Sequence, residues 1–351
     1  MRCEFCTLFD SRYLARGLVL YRSLAAHCED FRLHVFCMDD ESRELLTRLE
    51  LPRLRIIGID DVEQADPELA ATRAGRTPWE YCWTAAPAIC RYVLEREPDI
   101  EVLTYLDADL CLWSSPAPLF EELGDGSVLL VPHRGSHAHD RTVGVYNVGW
   151  VSFRNDARGR EALWWWRERC IEWCYDRPEP GRYADQKYLE ELPRRFGGVR
   201  VLANVGGGVG PWNVSQYRLE AGNGSPRLDG APVVFHHFQS LELYAATTGS
   251  RLLARHSRAF RLTPGPVPLV WTAGWRLTEH HLALLWEPYA ARLSEAMAEV
   301  GGAESLDDVS AARAAFHLAR RHVPAGVRGR YWKMRKAIWR RRMHRGLGRT
   351  S

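Results

Sequence analysis

The sequence predicts an α/β protein organised on a doubly wound, mostly parallel sheet, and three observations lead to that reading. Short β-rich runs alternate with helical patterns through the first hundred or so residues, the order that a parallel sheet with helices on its faces requires. A pair of aspartates stands at the end of one such run, in "YLDADL", and the carboxyl ends of parallel strands are where these folds place their ligands. The 351 residues, 46% hydrophobic and 26% charged, are enough for one large core or two closely packed subdomains.

Taken in order, "CEFCTLF" reads as the first strand and Tyr13 to Ala26 as the helix after it. "RLHVFCM" is followed by a helix from Glu41 to Leu49, "LRIIGI" by a longer helical region reaching Glu97, and "EVLTYL" closes the alternating half. Beyond it, "SVLLVP" and "YNVGWVSFR" read as strands, "ARGREALWWWRERCIEWCYD" as a Trp-rich amphipathic helix, and "DQKYLEEL" as a short helix opening at Asp185. "PVVFHHF" precedes two helical patterns, Thr278 to Val300 and Leu306 to Arg321, and no repeat or low-complexity linker interrupts the body. The expected organisation is a catalytic-type domain over 1–265, a helical extension over 266–325 and a basic amphipathic tail over 326–351.

No apolar run approaches the roughly 18 to 20 residues of a membrane span, and "MRCEFCTLFD" lacks a signal-peptide core, so the chain is expected in the cytosol. Nine cysteines without framework spacing suit reduced thiols. Cys3 and Cys6 form a CxxC, but on a strand they face opposite ways, which argues against a shared metal, and Cys170 with Cys174 reads as packing. The formal net charge of +3 hides an asymmetry: from Arg320 onward there are twelve Lys or Arg and no Asp or Glu, which leaves 35 basic against 44 acidic side chains before it, a net of −9. The tail "GVRGRYWKMRKAIWRRRMHRGLGRT" mixes these cations with Trp332, Ile338, Trp339 and Met343. It reads either as an interfacial helix drawn to anionic lipid, on the inner face of the plasma membrane, or as a solvated basic extension.

Side chains two apart on an extended chain point the same way, so Asp107 and Asp109 can converge on one hard cation with positions left open for phosphate. A cation so held suits a diphosphate.

With these aspartates in place, the chain resembles the GT-A-fold glycosyltransferases, nearest to glycosyltransferase family 8, the glycogenin and bacterial galactosyltransferase group. The resemblance is carried by Thr7, Asp10 and Tyr13 in "TLFDSRYLARGLVLYRSL", Arg91 in "AICRYVL", "YLDADL" itself, Asn147 and Gly149 in "YNVGWVSF", the pair Asp185 and Gln186, and His237 in "VFHHFQSL". It implies a GT-A-type doubly wound sheet with a helical C-terminal appendage. It also implies metal-dependent transfer of a sugar from a nucleoside-diphosphate sugar, UDP-sugar favoured, with retention of configuration, to a glycan, lipid-linked or small-molecule acceptor. On the same grounds Thr7, Asp10 and Tyr13 hold the nucleoside, Arg91 reaches the donor, and Asp107, Asp109 and His237 bind Mn²⁺ or Mg²⁺. Asp185, Gln186 and Asn147 then face the sugar, whose developing positive charge favours carboxylate and amide oxygens, and Gly149 shares the donor-binding strand. Asn213, in the Gly-rich "GVGPWNV" with Pro211 and Trp212, is a further candidate lining the sugar pocket.

The chain departs from the family where a Lys-Pro-Trp usually follows the histidine to grip the β-phosphate: Gln239, Ser240 and Leu241 stand there with no Lys nearby. Arg251 and Arg255 are cations within reach in sequence, although surface arginines are the plainer reading. Plainer readings exist elsewhere too: Asp10 as a turn and N-cap residue, Tyr13 as part of an apolar helix face, Asn147 as a satisfied core amide, and Asp185 as the cap of the helix it opens. The strand period directs one of two adjacent histidines to the cleft, with His237 preferred and His236 in reserve. The tryptophans of "ALWWWRERCIEW" fit a core stripe better than a sugar platform.

Two other classes compete. A nucleic-acid-binding protein would use the basic tail, but the acidic body carries no recognisable module for it, so nucleic acid is not expected as a partner. A sugar nucleotidyltransferase also uses strand-end carboxylates, yet the Gly-rich phosphate loop it needs near the first strand is missing.

Overall fold

The computed structural model describes residues 2–239, 241–244, 260–262, 269–271 and 277–300. The parallel half consists of β1 (Cys3–Phe9), β2 (Phe31–Cys37), β3 (Leu54–Gly58) and β4 (Val102–Leu106). A short β5 (Leu110–Leu112) leaves the sheet, and β6 (Val128–Pro132), β7 (Tyr146–Arg154) and β8 (Val199–Val201) complete it in the order β3-β2-β1-β4-β7-β6-β8. β7 runs antiparallel to both β4 and β6, so the sheet is mostly parallel with one reversed strand beside the switch point between β1 and β4.

Helices cover both faces, which is why the strands read as continuous apolar runs. Helix α1 (Leu14–His27) places Leu14, Leu18 and Leu24 in the core of one face. It lies close to the sheet because Gly17 has no side chain: a Cβ there would sit 2.4 Å from the ring of Phe9. The opposite face is covered by Pro78–Arg96 and by the Trp-rich Ala157–Glu172, whose Trp166 is fully buried and stacks on Phe153 with ring centroids 5.9 Å apart. The indole is thus core.

The longer helical region expected to reach Glu97 consists of Ile59–Ala65, Pro67–Thr72 and Pro78–Arg96. Asp66 and Thr77 cap the second and third helices, each with proline in the first turn, and Thr77 with Glu80 forms a reciprocal capping box. "DQKYLEEL" forms a 3₁₀ segment, Lys187–Glu191, whose capping position is Gln186; Asp185 lies before it.

A small unit outside the main sheet carries the two adjacent histidines. β9 (Leu219–Glu220), β10 (Arg227–Leu228) and β11 (Ala231–Pro232) make a short meander, and β12 (Phe235–His237) then pairs antiparallel with β5. Trp150 of β7 stacks on Phe235 of β12 at 5.0 Å and meets Phe5 of β1 edge-on at 5.8 Å, so one indole ties the outlying pair to the sheet. From behind, the helix Glu287–Glu299 packs Tyr289 flat against Phe238, with centroids 3.6 Å apart. This helix belongs to the helical C-terminal appendage and is entered through a cap at Thr278 and a π-helical turn over Leu282–Trp286. The helix expected from Leu306 to Arg321, the basic tail, Arg251 and Arg255 lie outside the described residues. Among those described, no helix is long and apolar enough to cross a membrane.

Trp150 is fully buried, so Trp150→Ala is expected to lower the unfolding free energy by about 3–5 kcal/mol, read from urea denaturation.

Candidate metal and donor site

Asp107 and Asp109 lie on a tight turn between β4 and β5, where the Leu110 amide donates to the Asp107 carbonyl at 3.2 Å. This corrects the expectation of an extended chain: the two carboxylates converge through a turn. β12 brings the third member, because His237 pairs with Leu110 and the Phe238 amide continues onto the Asp109 carbonyl at 3.0 Å. Ligand atoms of Asp107, Asp109 and His237 all lie within 4.8 Å of one another, the only such cluster among the described residues. His236 points away among Phe238 and Trp286, and burial keeps it neutral.

The His237 tautomer follows from its partners. Its Nδ1 meets Asn147 Oδ1 at 3.1 Å, an oxygen that can only accept, so Nδ1 carries the proton and Nε2 presents its lone pair. That lone pair lies 3.0 Å from Asp109 Oδ1 and 3.6 Å from Asp107 Oδ2. Three electron-rich atoms facing one another require a cation between them or a proton on Nε2. Burial pulls the imidazolium down, but the charge and hydrogen bond of Asp109, with Asp107 behind, raise His237 above its ordinary value. Burial also raises Asp107, helped by the like charge of Asp109, whereas His237 and Arg16 outweigh burial at Asp109 and lower it. Two carboxylate oxygens and one bare imidazole nitrogen suit a divalent cation, and the mixed set suits Mn²⁺ better than Mg²⁺. Tyr105 orients the first ligand by donating to Asp107 Oδ1 at 2.9 Å.

Gly149 makes the Asn147–His237 contact possible. A Cβ there would lie 2.6 Å from Asn147 Oδ1 and 2.7 Å from His237 Nδ1. Its amide donates to Asn147 Oδ1 at 2.9 Å while its carbonyl receives the Asp107 amide at 3.1 Å. The Asn-x-Gly spacing therefore has a steric cause.

Asp185 is buried, and its carboxyl is held well above the usual range, first by burial and then by the charge of Asp107. Gln186 donates to the Val143 carbonyl at 2.9 Å and turns its oxygen toward the Val148 amide at 3.3 Å and Asn147 Nδ2 at 3.4 Å. Gln186 thus shares the amide network of Asn147 and, through it, adjoins the cluster.

The nucleoside candidates are spread along the end of β1. Thr7 is fully buried with its hydroxyl lacking a hydrogen-bond partner among the described residues. Asp10 accepts from the Arg12 amide and pairs with its guanidinium, so it serves the turn. Tyr13 is 45% exposed, unusual for a large ring and compatible with stacking. Two candidates are engaged elsewhere. Arg91 pairs with Glu95 one turn on and lies over Trp164, and both amide hydrogens and the oxygen of Asn213 go to the backbone of His133, Gly208 and Gly210.

Sequence reasoning missed Arg16, Asp39 and His133. Arg16 is buried in α1 with its guanidinium 4.6 Å from the Tyr13 ring and 3.2 Å from the Leu241 carbonyl, and its charge acts on Asp109. The signal that could have found it is an arginine set among the apolar residues of "LARGLVLY". Asp39, at the end of β2, accepts from the Ser11 amide and hydroxyl and fixes the loop before Tyr13. His133 supports Asn147.

No family model matches the chain. It is 34% identical over 246 residues to the uncharacterised protein YfnD of Bacillus subtilis (strain 168), covering 68% of this chain and 78% of YfnD. YfnF of the same organism, also uncharacterised, is 32% identical over 253 residues, covering 69% of this chain and 83% of YfnF. The chain belongs to the family of these two proteins. Among solved structures it is similar to the galactosyltransferase LgtC in complex with donor and acceptor sugar analogs, at 19% identity and a TM-score of 0.48, covering 68% of this chain and 87% of that one.

The state of Asp185 sets a pH dependence. Because its native pKa is raised, its contribution is most favourable below the unfolded value of about 3.9 and is lost as pH rises through the native value. Asp185→Asn should therefore raise the melting temperature in EDTA, by an amount absent near pH 3 and growing across that window. A pH-independent difference would show that Asp185 ionises without cost.

Proposed function

We propose that the chain is a metal-dependent glycosyltransferase that takes a sugar from a nucleoside-diphosphate sugar, with UDP-sugar favoured, Mn²⁺ or Mg²⁺ as cofactor, and retention of configuration. The observation that carries this reading is the Asp107, Asp109 and His237 cluster beside the carboxyl end of β4, with His237 Nε2 facing both carboxylates. The acceptor class is a glycan, a lipid-linked sugar or a small molecule.

A divalent cation held there would neutralise charge on the departing diphosphate. Tyr13 offers an exposed ring for the base, and Arg16, over the Tyr13 ring and with its charge felt at Asp109, supplies the fixed positive charge that the missing Lys leaves to be filled. Asp185, Asn147 and Gln186 present carboxyl and amide oxygens on the sugar side, where positive charge develops. Retention rests on the family 8 resemblance alone.

The protein is expected to bind UDP only with Mn²⁺ or Mg²⁺ present, measured by calorimetry. Asp107→Asn or Asp109→Asn should abolish the metal-dependent binding of UDP without unfolding the chain, and Arg16→Gln should weaken UDP at least tenfold while sparing uridine, about the 1.4 kcal/mol expected of one charge-assisted contact. Equal UDP affinity in EDTA refutes the reading.

The basic tail is proposed to hold the enzyme at an anionic membrane surface on the cytoplasmic side, beside its acceptor, through Trp332, Trp339 and the run Arg340, Arg341 and Arg342. Removal of the residues after Ala325 should abolish sedimentation with anionic liposomes and leave UDP binding intact. Equal, negligible binding of the full chain to neutral and anionic liposomes would make the tail a solvated extension.

A further inference from the structure

We propose that His133 is a positioning residue for the cation site: through Asn147 it holds His237 in the tautomer that leaves Nε2 bare. This rests on the metal reading above and extends it to a residue that touches neither cation nor donor.

The hydrogen bonds run in one direction. His133 Nδ1 lies 2.8 Å from the Gly144 carbonyl, which can only accept, so the ring proton is on Nδ1 and Nε2 is an acceptor. That Nε2 lies 3.1 Å from Asn147 Nδ2 and, together with the Gly149 amide on Oδ1 and Gln186 Oε1 near Nδ2, sets the amide with its nitrogen toward His133 and its oxygen toward His237. The oxygen then takes the His237 Nδ1 proton at 3.1 Å, and the bare Nε2 faces Asp109 and Asp107. If the Asn147 amide turned over, its NH₂ would face His237 Nδ1 and move the ring proton to Nε2, the atom a cation needs.

His133 is itself tightly held. It is buried, its amide donates to the Val145 carbonyl at 2.8 Å, and its carbonyl receives Trp212 Nε1 and Asn213 Nδ2, each at 2.8 Å. Trp212 also stands edge-on to both imidazoles, with centroids 5.4 Å from His133 and 5.5 Å from His237. The Gly-rich loop around Asn213 thus has a task without touching sugar: it fixes the backbone from which the relay starts. The His133 ring is anchored in turn at Gly144, whose φ of +112 is a glycine conformation and whose neighbour Val143 is bonded by Gln186. Outer-shell partners of this kind commonly change metal affinity by about 10–100-fold.

The test is the Mn²⁺ dissociation constant of the full chain without nucleotide, read from the electron paramagnetic resonance of free aqueous Mn²⁺, together with the melting temperature in EDTA. His133→Phe removes both ring contacts and His133→Asn retains only the reach to Gly144, so both should weaken Mn²⁺ by about tenfold or more. His133→Gln sets a side-chain oxygen near the original Nε2 and should restore affinity to within about threefold of wild type, whatever its melting temperature. Wild-type affinity in the Phe and Asn variants, or Gln as weak as Asn, overturns the relay. If the Phe variant fails to fold, the contrast between Gln and Asn decides. Absence of Mn²⁺ binding by the wild type overturns the metal reading and the relay with it, whereas binding by wild type and all variants alike removes the relay alone.

Discussion

The hydrogen bond from His237 Nδ1 to Asn147 Oδ1 is the interaction on which the site depends, because it decides which imidazole nitrogen is left to face two carboxylates. Both partners come from elements that meet through tertiary structure alone. Asn147 is on β7, the reversed strand beside β4, and His237 is on β12, which reaches the site by pairing with β5 immediately after the aspartate turn. Gly149 is the point where these two constructions touch, and the absence of a Cβ there keeps them at bonding distance.

The site is electrostatically expensive, which argues for use rather than architecture. Asp107, Asp109 and Asp185 share one region, with Arg16 and His237 the cationic groups that act on Asp109, and burial raises Asp107 and Asp185. A fold selected only for stability would replace such carboxylates with apolar groups of similar volume. The strain is relieved when positive charge enters, either as a proton on His237 or as a cation among the three side chains, which under the proposed function would also meet a phosphate.

Much of this was legible in the sequence wherever a local pattern carries the information. The apolar runs of β1, β2, β4, β6 and β7 have nearly the bounds that their residues suggest, and caps at Asp66 and Thr77 explain why one expected helical region is three. Asp107 and Asp109 stood out because adjacent charges at the end of an apolar strand are costly without a purpose, and His237 through the family resemblance, with strand alternation setting it apart from His236. Residues whose role lies in a distant partner were not legible. Nothing near His133 in sequence reveals that Asn147 will be 3.1 Å from its ring, and nothing near Arg16 reveals Asp109. Arg91 shows the complementary case: a cation in the helix before the aspartates fits a donor-binding pattern, and its place on the helix also sets it against Glu95 and Trp164, partners that the pattern does not reveal.

The C-terminal helix also has a mechanical place in the site. β12 has only three residues and pairs with a strand of equal length, too little by itself to hold a ligand at ångström precision. Tyr289 stacks flat on Phe238, the residue after His237, while Trp286 meets both Phe238 and His236 edge-on. On the other side Trp150 stacks on Phe235. The strand is therefore gripped by aromatic rings at both ends and from two layers. Alternation along it turns His236 into that apolar packing and His237 out to the carboxylates, so the same contacts that bury the first histidine aim the second.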